Sequence, residues 1–357
     1  MKAKKKRSYT FWWFLFLVVN LLIVAGIAWR EFHGKGQGEG FSLGEGGIWF
    51  LLLGIFCVAV MLGTETAKCF LTLRFLGEPI SVKGAFETVA LGKYYDALMP
   101  TGGGGQPFQI YWLSRSGFSA GACTAMPASY FVTRQLAAMF LTILTFFLYP
   151  DPGSSTIRYA AYLGLACCAI VPCTEIAFSF QPKATTKAAE LLLKTGARLH
   201  VIRDYEGARN KVLGALTQFH EGFSLIAGEK GLLAALLLLS LLCRAALCSL
   251  PFIVLRALGS PVSFLPTFFL TIYIYSAVTL IPTPGNSGVS EGAFYLIFSE
   301  NGSSEVFWAM LLWRGLCYYS FLLLGLVIFG RHTLSHSEQA VAGAGPEAGQ
   351  EGGQIDG

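Results

Sequence analysis

Apolar residues fall along this chain in runs of about 20, the length an α-helix needs to cross a hydrocarbon core. The runs lie at roughly 10–29, 47–64, 120–149, 157–180, 231–255, 262–281 and 304–330. Two regions depart from the pattern. Between 65 and 117 the chain carries Glu65, Lys68, Arg74, Glu78, Lys83, Glu87, Lys93, Asp96 and Arg115, too much charge for a lipid-facing span. The stretch 81–99 predicts a helix that enters the membrane part-way and stops at Pro100, with a second short helix returning over about 106–116. The alternative is an amphipathic pair lying on the surface. Residues 181–230 form a polar section with eight Lys/Arg against five Asp/Glu. Within it Leu192, Leu199, Ile202, Tyr205, Val212, Leu216, Phe219, Phe223 and Ile226 recur at helical spacing, which predicts amphipathic cytoplasmic helices. A structural linker and a regulatory or lipid-contacting role are both open for them.

One phrase occurs twice inside these apolar stretches: Leu98-Met99-Pro100-Thr101-Gly102-Gly103 and Leu280-Ile281-Pro282-Thr283-Pro284-Gly285. Pro removes a backbone donor and Gly weakens a helix interior, so each copy predicts a broken helix. In a membrane, irregular backbone is tolerated only where protein buries it or where it lines a cavity. Paired breaks in the two halves of a chain point to a transporter's binding site. The expected fold is therefore all-α, a polytopic transmembrane bundle with two broken or re-entrant segments. The pairing also leaves room for an inverted repeat.

Composition agrees with membrane insertion. Of 357 residues, 54% are hydrophobic and only 13% charged, about half the charged share of soluble domains, and the mean hydropathy is +0.56. Lys2, Lys4, Lys5, Lys6 and Arg7 precede Phe11-Trp12-Trp13 and the first apolar run. That run is too long for a signal-peptide core and ends in Trp29-Arg30-Glu31-Phe32, so a retained anchor with a cytoplasmic N-terminus (residues 1–9) is expected. Most of the formal charge of +5 follows from this bias and is no sign of nucleic acid binding. Residues 33–47 predict a flexible outer loop, and Pro150-Asp151-Pro152-Gly153 an external turn. Beyond Arg331 the Gly/Ala/Glu/Gln-rich chain to Gly357 predicts a disordered tail. Arg331 and His332 favour a cytoplasmic end and an even number of crossings. The nine cysteines (Cys57, Cys69, Cys123, Cys167, Cys168, Cys173, Cys243, Cys248, Cys317) sit in or beside apolar segments without metal-site spacing, and read as small buried hydrophobes. Neither a metal nor a cofactor is expected, and no Walker-type phosphate loop is present.

Ionisable residues inside spans are costly and mark function by default. Arg134, Arg244 and Arg314, with Glu175 and Glu291, meet that description. Arg presents a rigid fork of donors suited to phosphate; the competing reading is a salt bridge to Glu175 or Glu291. The second break continues as Asn286-Ser287-Gly288-Val289-Ser290-Glu291, a loop capped into a short helix with Glu291 in its first turn. Such an N-terminus suits an anion. Glu291 would instead pair with an Arg, meet a cationic head group, or satisfy its own helix end. Behind the first break, Gly102-Gly103-Gly104-Gly105 could form a nest of N–H groups or only a tight turn.

Leu91 to Gly117, with Tyr95-Asp96 ahead of Pro100 and the glycines ahead of Leu113-Ser114-Arg115-Ser116-Gly117, resembles the first signature of the lysylphosphatidylglycerol synthase transmembrane (flippase-like) family. Pro282 to Glu291 resembles its second. The likeness covers most of residues 8–330. Asp96 stands where that family commonly has Asn, and Asn286-Ser287 replaces a usual Gly-hydrophobic pair. The resemblance implies a membrane domain (10–330) that moves an aminoacylated phospholipid, or a related lipid-linked substrate, between leaflets. It lacks the soluble aminoacyl-transfer domain of larger members, so lipid synthesis by this chain is not expected. The substrate-binding set is then Asp96, Pro100, Gly102, Gly103, Arg134, Pro282, Pro284, Gly285, Glu291 and Arg314, with no catalytic residue. Expected partners are the lipid and the membrane, with no nucleic acid and with a homo-oligomer left open, and the cell membrane is the expected location. Two other readings compete. A polyprenyl-phosphate-dependent glycosyltransferase would want acidic pairs on the first outer loop, where Glu31, Glu39 and Glu45 are widely spaced. An accessory protein binding a membrane partner is the third.

Overall fold

In the computed structural model the described residues are 41–98, 105–153, 155–198, 205–278, 288–300 and 305–342. The basic N-terminus, the run 10–29, Pro100, Gly102, Gly103, Pro282, Pro284 and Gly285 lie outside them. Among the described residues every regular element is helical: α1 Gly47–Phe75, α2 Val82–Leu98, α3 Gly105–Arg115, α4 Ala120–Leu148, α5 Ser155–Phe180, α6 Pro182–Arg198, α7 Tyr205–Gly228, α8 Lys230–Ala257, α9 Phe264–Val278, α10 Val289–Glu300, α11 Val306–Arg314 and α12 Ser320–Ala342, with a π-helical turn Gly315–Tyr319 joining the last two. The chain is all-α.

Among the described residues four stretches are long and apolar enough to cross a membrane: α1, α4, α8 and Val306–Arg331, while α9 is a shorter apolar helix. Their outer faces carry exposed Trp49, Phe56, Phe147, Leu238 and Leu323, side chains that only lipid would solvate well. The first of these helices runs past its apolar stretch. The hydropathy pattern ends a span at 64, yet α1 continues to Phe75, with Glu65 and Lys68 both turned inward at 1% exposure. Met61, Glu65, Lys68 and Thr72 share one buried stripe, and the helix stops at Gly77, whose positive φ lets Glu78 N–H reach back to Leu73 O. The C-terminal helix also outruns expectation. It reaches Ala342, past Arg331, because nothing in His332–Ala342 breaks a helix before Gly343 and the following glycines.

Helices α1 and α8 form the most extensive pair. They approach so closely at one end that a Cβ on Gly47 would collide with the carbonyl of Ala257. The main core joins them to α9–α11 through Met61, Leu250, Val254, Phe294, Met310 and Trp313. A second cluster seats α2 and α3 against α1 and α4 through Leu73, Val89, Leu113 and Met126. Helices α2 and α3 run antiparallel: Asp96 meets Gly105 at the closed end, and Gln109 Nε2 reaches Thr88 O at 3.5 Å further along. On the other side Gly325 of α12 takes the Cβ of Tyr94 at a distance no larger residue allows. The amphipathic α6 and α7 pack on each other, with Arg209 Nη2 2.6 Å from Glu190 Oε1, and α7 lies along α4. Of the cysteines, Cys69, Cys123, Cys243 and Cys248 are buried as expected, whereas Cys167 and Cys173 are exposed.

Candidate functional site

The two repeated phrases, where the sequence predicts breaks, lie almost wholly outside the described residues, but the helix ends on either side of them are ordered by side chains. A helix terminus leaves N–H and C=O groups without partners. At the first break Asp96 Oδ1 accepts the N–H of Gly105, the opening residue of α3, at 2.8 Å. A Cβ on Gly105 would crowd both the Gly92 carbonyl and the Asp96 carboxylate, so glycine there is a packing requirement. At the second break Glu291 Oε2 accepts the N–H of Gly288 at 2.6 Å. Glu291 thereby satisfies its own helix end, one of the three roles open to it in the sequence.

The same oxygen of Glu291 lies 2.7 Å from Arg314 Nη2, with both side chains 6% exposed. Arg314 is the last residue of α11, and its guanidinium also lies over the rings of Trp313 and Tyr318, 5.0 and 5.5 Å from their centroids. Tyr318 extends that chain of contacts across the molecule. Its hydroxyl donates to the carbonyl of Ala97 at 3.1 Å, one of the last carbonyls of α2. The neighbourhoods of the two repeated phrases therefore meet, through Glu291, Arg314, Tyr318 and Ala97.

Beside this junction is a crevice lined by Gly92, Lys93, Asp96, Gln106, Gln109, Tyr130 and Arg134. Its enclosed space of about 10 Å³ is near the room that one water needs, so the site is a cluster of polar groups and not an open chamber. Behind it Glu65 Oε1 lies 3.7 Å from Lys93 Nζ and accepts from Cys243 Sγ at 3.1 Å. Lys68 Nζ stands 3.5 Å from Glu65 Oε2, donates to Ser240 Oγ at 3.0 Å and sits 4.0 Å over the Tyr130 ring. Three cations thus face two carboxylates, one of which is committed to the end of α3. Arg134, on α4, is half-buried and forms no ion pair or hydrogen bond with any described residue; its contact is with the Phe131 ring, 5.5 Å away. A guanidinium with spare donors at the wall of a polar crevice can take phosphate oxygens in pairs.

Of the residues expected to bind substrate, the structure groups Asp96 with Arg134 at the crevice and pairs Glu291 with Arg314 nearby. Arg244 lies 4.8 Å from the centroid of Tyr275, whose ring packs on Trp313 beside Arg314, so it borders the second group through an aromatic contact and not through an ion pair with a described residue. Glu65, Lys68, Lys93 and Tyr318 escape a reading of the sequence. A signal was present: Glu65 and Lys68 are three apart and fall on the helix face shared by Thr72, at the end of a span where a stray charge has no lipid-facing use.

Asp96 also yields an expectation for stability. Its replacement by Ala should cost about 1 kcal/mol, the usual loss on removing a side-chain acceptor from a helix N-terminus, while Asn keeps an acceptor and most of that stability. Thermal midpoints of the two variants in detergent give the comparison; equal midpoints would mean that Asp96 does not hold α3.

The family model for the lysylphosphatidylglycerol synthase TM region matches residues 5–325. A UPF0104 membrane protein of Archaeoglobus fulgidus is 25% identical over 305 residues, spanning 78% of this chain and 85% of that protein. With nearly its whole apolar portion matched, and with helices apolar enough to cross a membrane, the chain is a membrane protein that belongs to the lysylphosphatidylglycerol synthase TM-region family.

Proposed function

We propose that this protein moves a phospholipid, aminoacylated or otherwise lipid-linked, from one leaflet to the other, with the lipid phosphate carried past the junction of the two breaks. The observation that supports this most strongly is the excess of cations over carboxylates at the crevice, where Lys68, Lys93 and Arg134 face Glu65 and Asp96 and Arg134 makes no hydrogen bond or close ion pair to any described residue. A charge in that setting costs on the order of 3 kcal/mol, an expense that a passing phosphate would offset and that packing does not. Lys93, 20% exposed and 3.7 Å from Glu65, extends the positive wall toward the surface. Arg314 has a different place in the scheme. Glu291 occupies it, so it stiffens the second break and, through Tyr318, holds the end of α2.

A transporter of this kind works without a covalent step. The headgroup exchanges water for fixed donors, and the acyl chains stay in the bilayer. Purified protein in liposomes should speed the movement of headgroup-labelled phosphatidylglycerol and lysyl-phosphatidylglycerol between leaflets. Rates equal to those of protein-free vesicles, across several lipid classes, contradict the proposal. Sugar transfer from a polyprenyl-phosphate donor under the same conditions would favour the glycosyltransferase reading instead.

A further inference from the structure

The turn between α1 and α2 leaves a groove on the outer surface of the bundle, separate from the polar crevice. Its volume is about 740 Å³, inside the range of small-ligand sites. Ala59, Leu62, Gly63 and Phe70 of α1 form one wall, and Val82 and Phe86 of α2 form the other. Two polar groups break this apolar lining. Thr66 lines the groove, is 7% exposed and has no hydrogen-bond partner for Oγ1 among the described residues. Most threonines in these helices instead bond back to a carbonyl of the preceding turn, as Thr64 does to Met61 O at 2.9 Å. At the start of α2, Lys83 also lines the groove. Its side chain is 83% exposed and its contact with Glu87 is long, 4.0 Å, a pairing that contributes little.

We propose that this groove takes one acyl chain of a phospholipid, with Lys83 meeting the phosphate and the Thr66 hydroxyl donating to a glycerol-ester carbonyl. The occupant follows from the lining: a long apolar cleft, one buried donor without a partner and one cation near its start describe an amphiphile with an anionic head. Adjacent residues of α1 also divide the two sites. Glu65 points into the charge cluster and Thr66 into the groove, so a lipid seated here waits beside the crevice. In that respect the inference rests on the lipid-transport reading and names where the substrate is held before it crosses.

The experiment uses phosphatidylglycerol with a photoreactive diazirine in one acyl chain, in vesicles containing the full-length protein, with adducts mapped by mass spectrometry. Adducts are expected to concentrate on 62–70 and 82–86. Gly63→Phe should reduce them about tenfold, the effect of losing some 1.4 kcal/mol of binding. A Cβ on Gly63 meets no atom within 4 Å, so the backbone there accepts a side chain, and Gly63 lines the groove that the ring would enter. Thr66→Val, nearly isosteric, should reduce them several-fold and carries the test if the Phe variant misfolds. Lys83→Gln should lower labelling by phosphatidylglycerol, and by less that of phosphatidylcholine, whose phosphate is already partly balanced by its choline cation. Labelling no denser than at the lipid-exposed Phe140 and Phe147, or unchanged in these variants, overturns the proposal. So does a cross-link from a cysteine at position 63 to residues 10–29, which would show the chain itself covering the groove. Adduct formation requires no transport. A labelled groove in vesicles without lipid movement keeps this site and defeats the transport reading, and the reverse result defeats the groove alone.

Discussion

Replacing Arg314 by Ala is expected to cost about 3–5 kcal/mol of stability, the usual consequence of removing one partner from a buried ion pair. The carboxylate left behind has nowhere to discharge. Glu291 Oε2 is held at 2.6 Å from Gly288 N and 2.7 Å from Arg314 Nη2, and both side chains are 6% exposed. The backbone N–H alone cannot balance a full negative charge. The damage should spread, because Arg314 also supports the Tyr318 ring, whose hydroxyl holds Ala97 O. Lysine at 314 keeps the charge but loses the planar fork, and should fall between wild type and Ala. Replacing Glu291 by Gln and Arg314 by Gln together should cost less than the sum of the single changes, as expected for a coupled pair. Thermal midpoint and monodispersity in detergent measure all of these. An Ala variant as stable as wild type would mean that the pair does not hold the second break. Loss of transport in an Arg314 variant has meaning only in protein shown to be folded.

Arg134 should behave in the opposite way. It forms no close ion pair or hydrogen bond with a described residue, so Arg134→Gln breaks no direct bond and removes only its longer-range attraction to Asp96 and Glu65. Stability should change by less than about 1 kcal/mol. Transport should fall about 10- to 100-fold, the equivalent of a charge-assisted hydrogen bond worth roughly 1.5–3 kcal/mol. Arg134→Lys should restore part of the rate, since charge survives and bidentate geometry does not. Lys93→Gln should lower the rate less, because Lys93 is shared with Glu65 at 3.7 Å. Initial rates at several lipid densities, set beside thermal midpoints of the same preparations, separate the two effects. A Gln variant that transports normally would remove Arg134 from the lipid's path.

The sequence carried the helices better than the site. Apolar runs and the charge of 65–117 anticipated the α2–α3 pair, because Pro100 and the glycines after it cannot continue a helix and Asp96 is a natural acceptor for the next one. The same charge count hid the site. Hydropathy averages over all faces of a helix, so Glu65 and Lys68 read as the end of a span when they are the inward stripe of a longer one. Lys93 was unremarkable among nine nearby charges until α1 and α2 packed and placed it against Glu65. The Arg314–Glu291 pairing was one of two readings open at residue level, since both groups lie in apolar sequence and a buried charge needs a partner. Its link to the first break was not legible. It passes through Tyr318, one aromatic among many, and depends on a contact between residues 221 positions apart.

The most direct measurement is a cryo-EM structure of the protein in nanodiscs of phosphatidylglycerol. Phosphate density within hydrogen-bond reach of Arg134, on the crevice wall formed by Lys93 and Asp96, is the predicted result. A crevice empty in the wild type and unchanged in Arg134→Gln, with ordered phosphates only on the outer surface of the bundle, would contradict it.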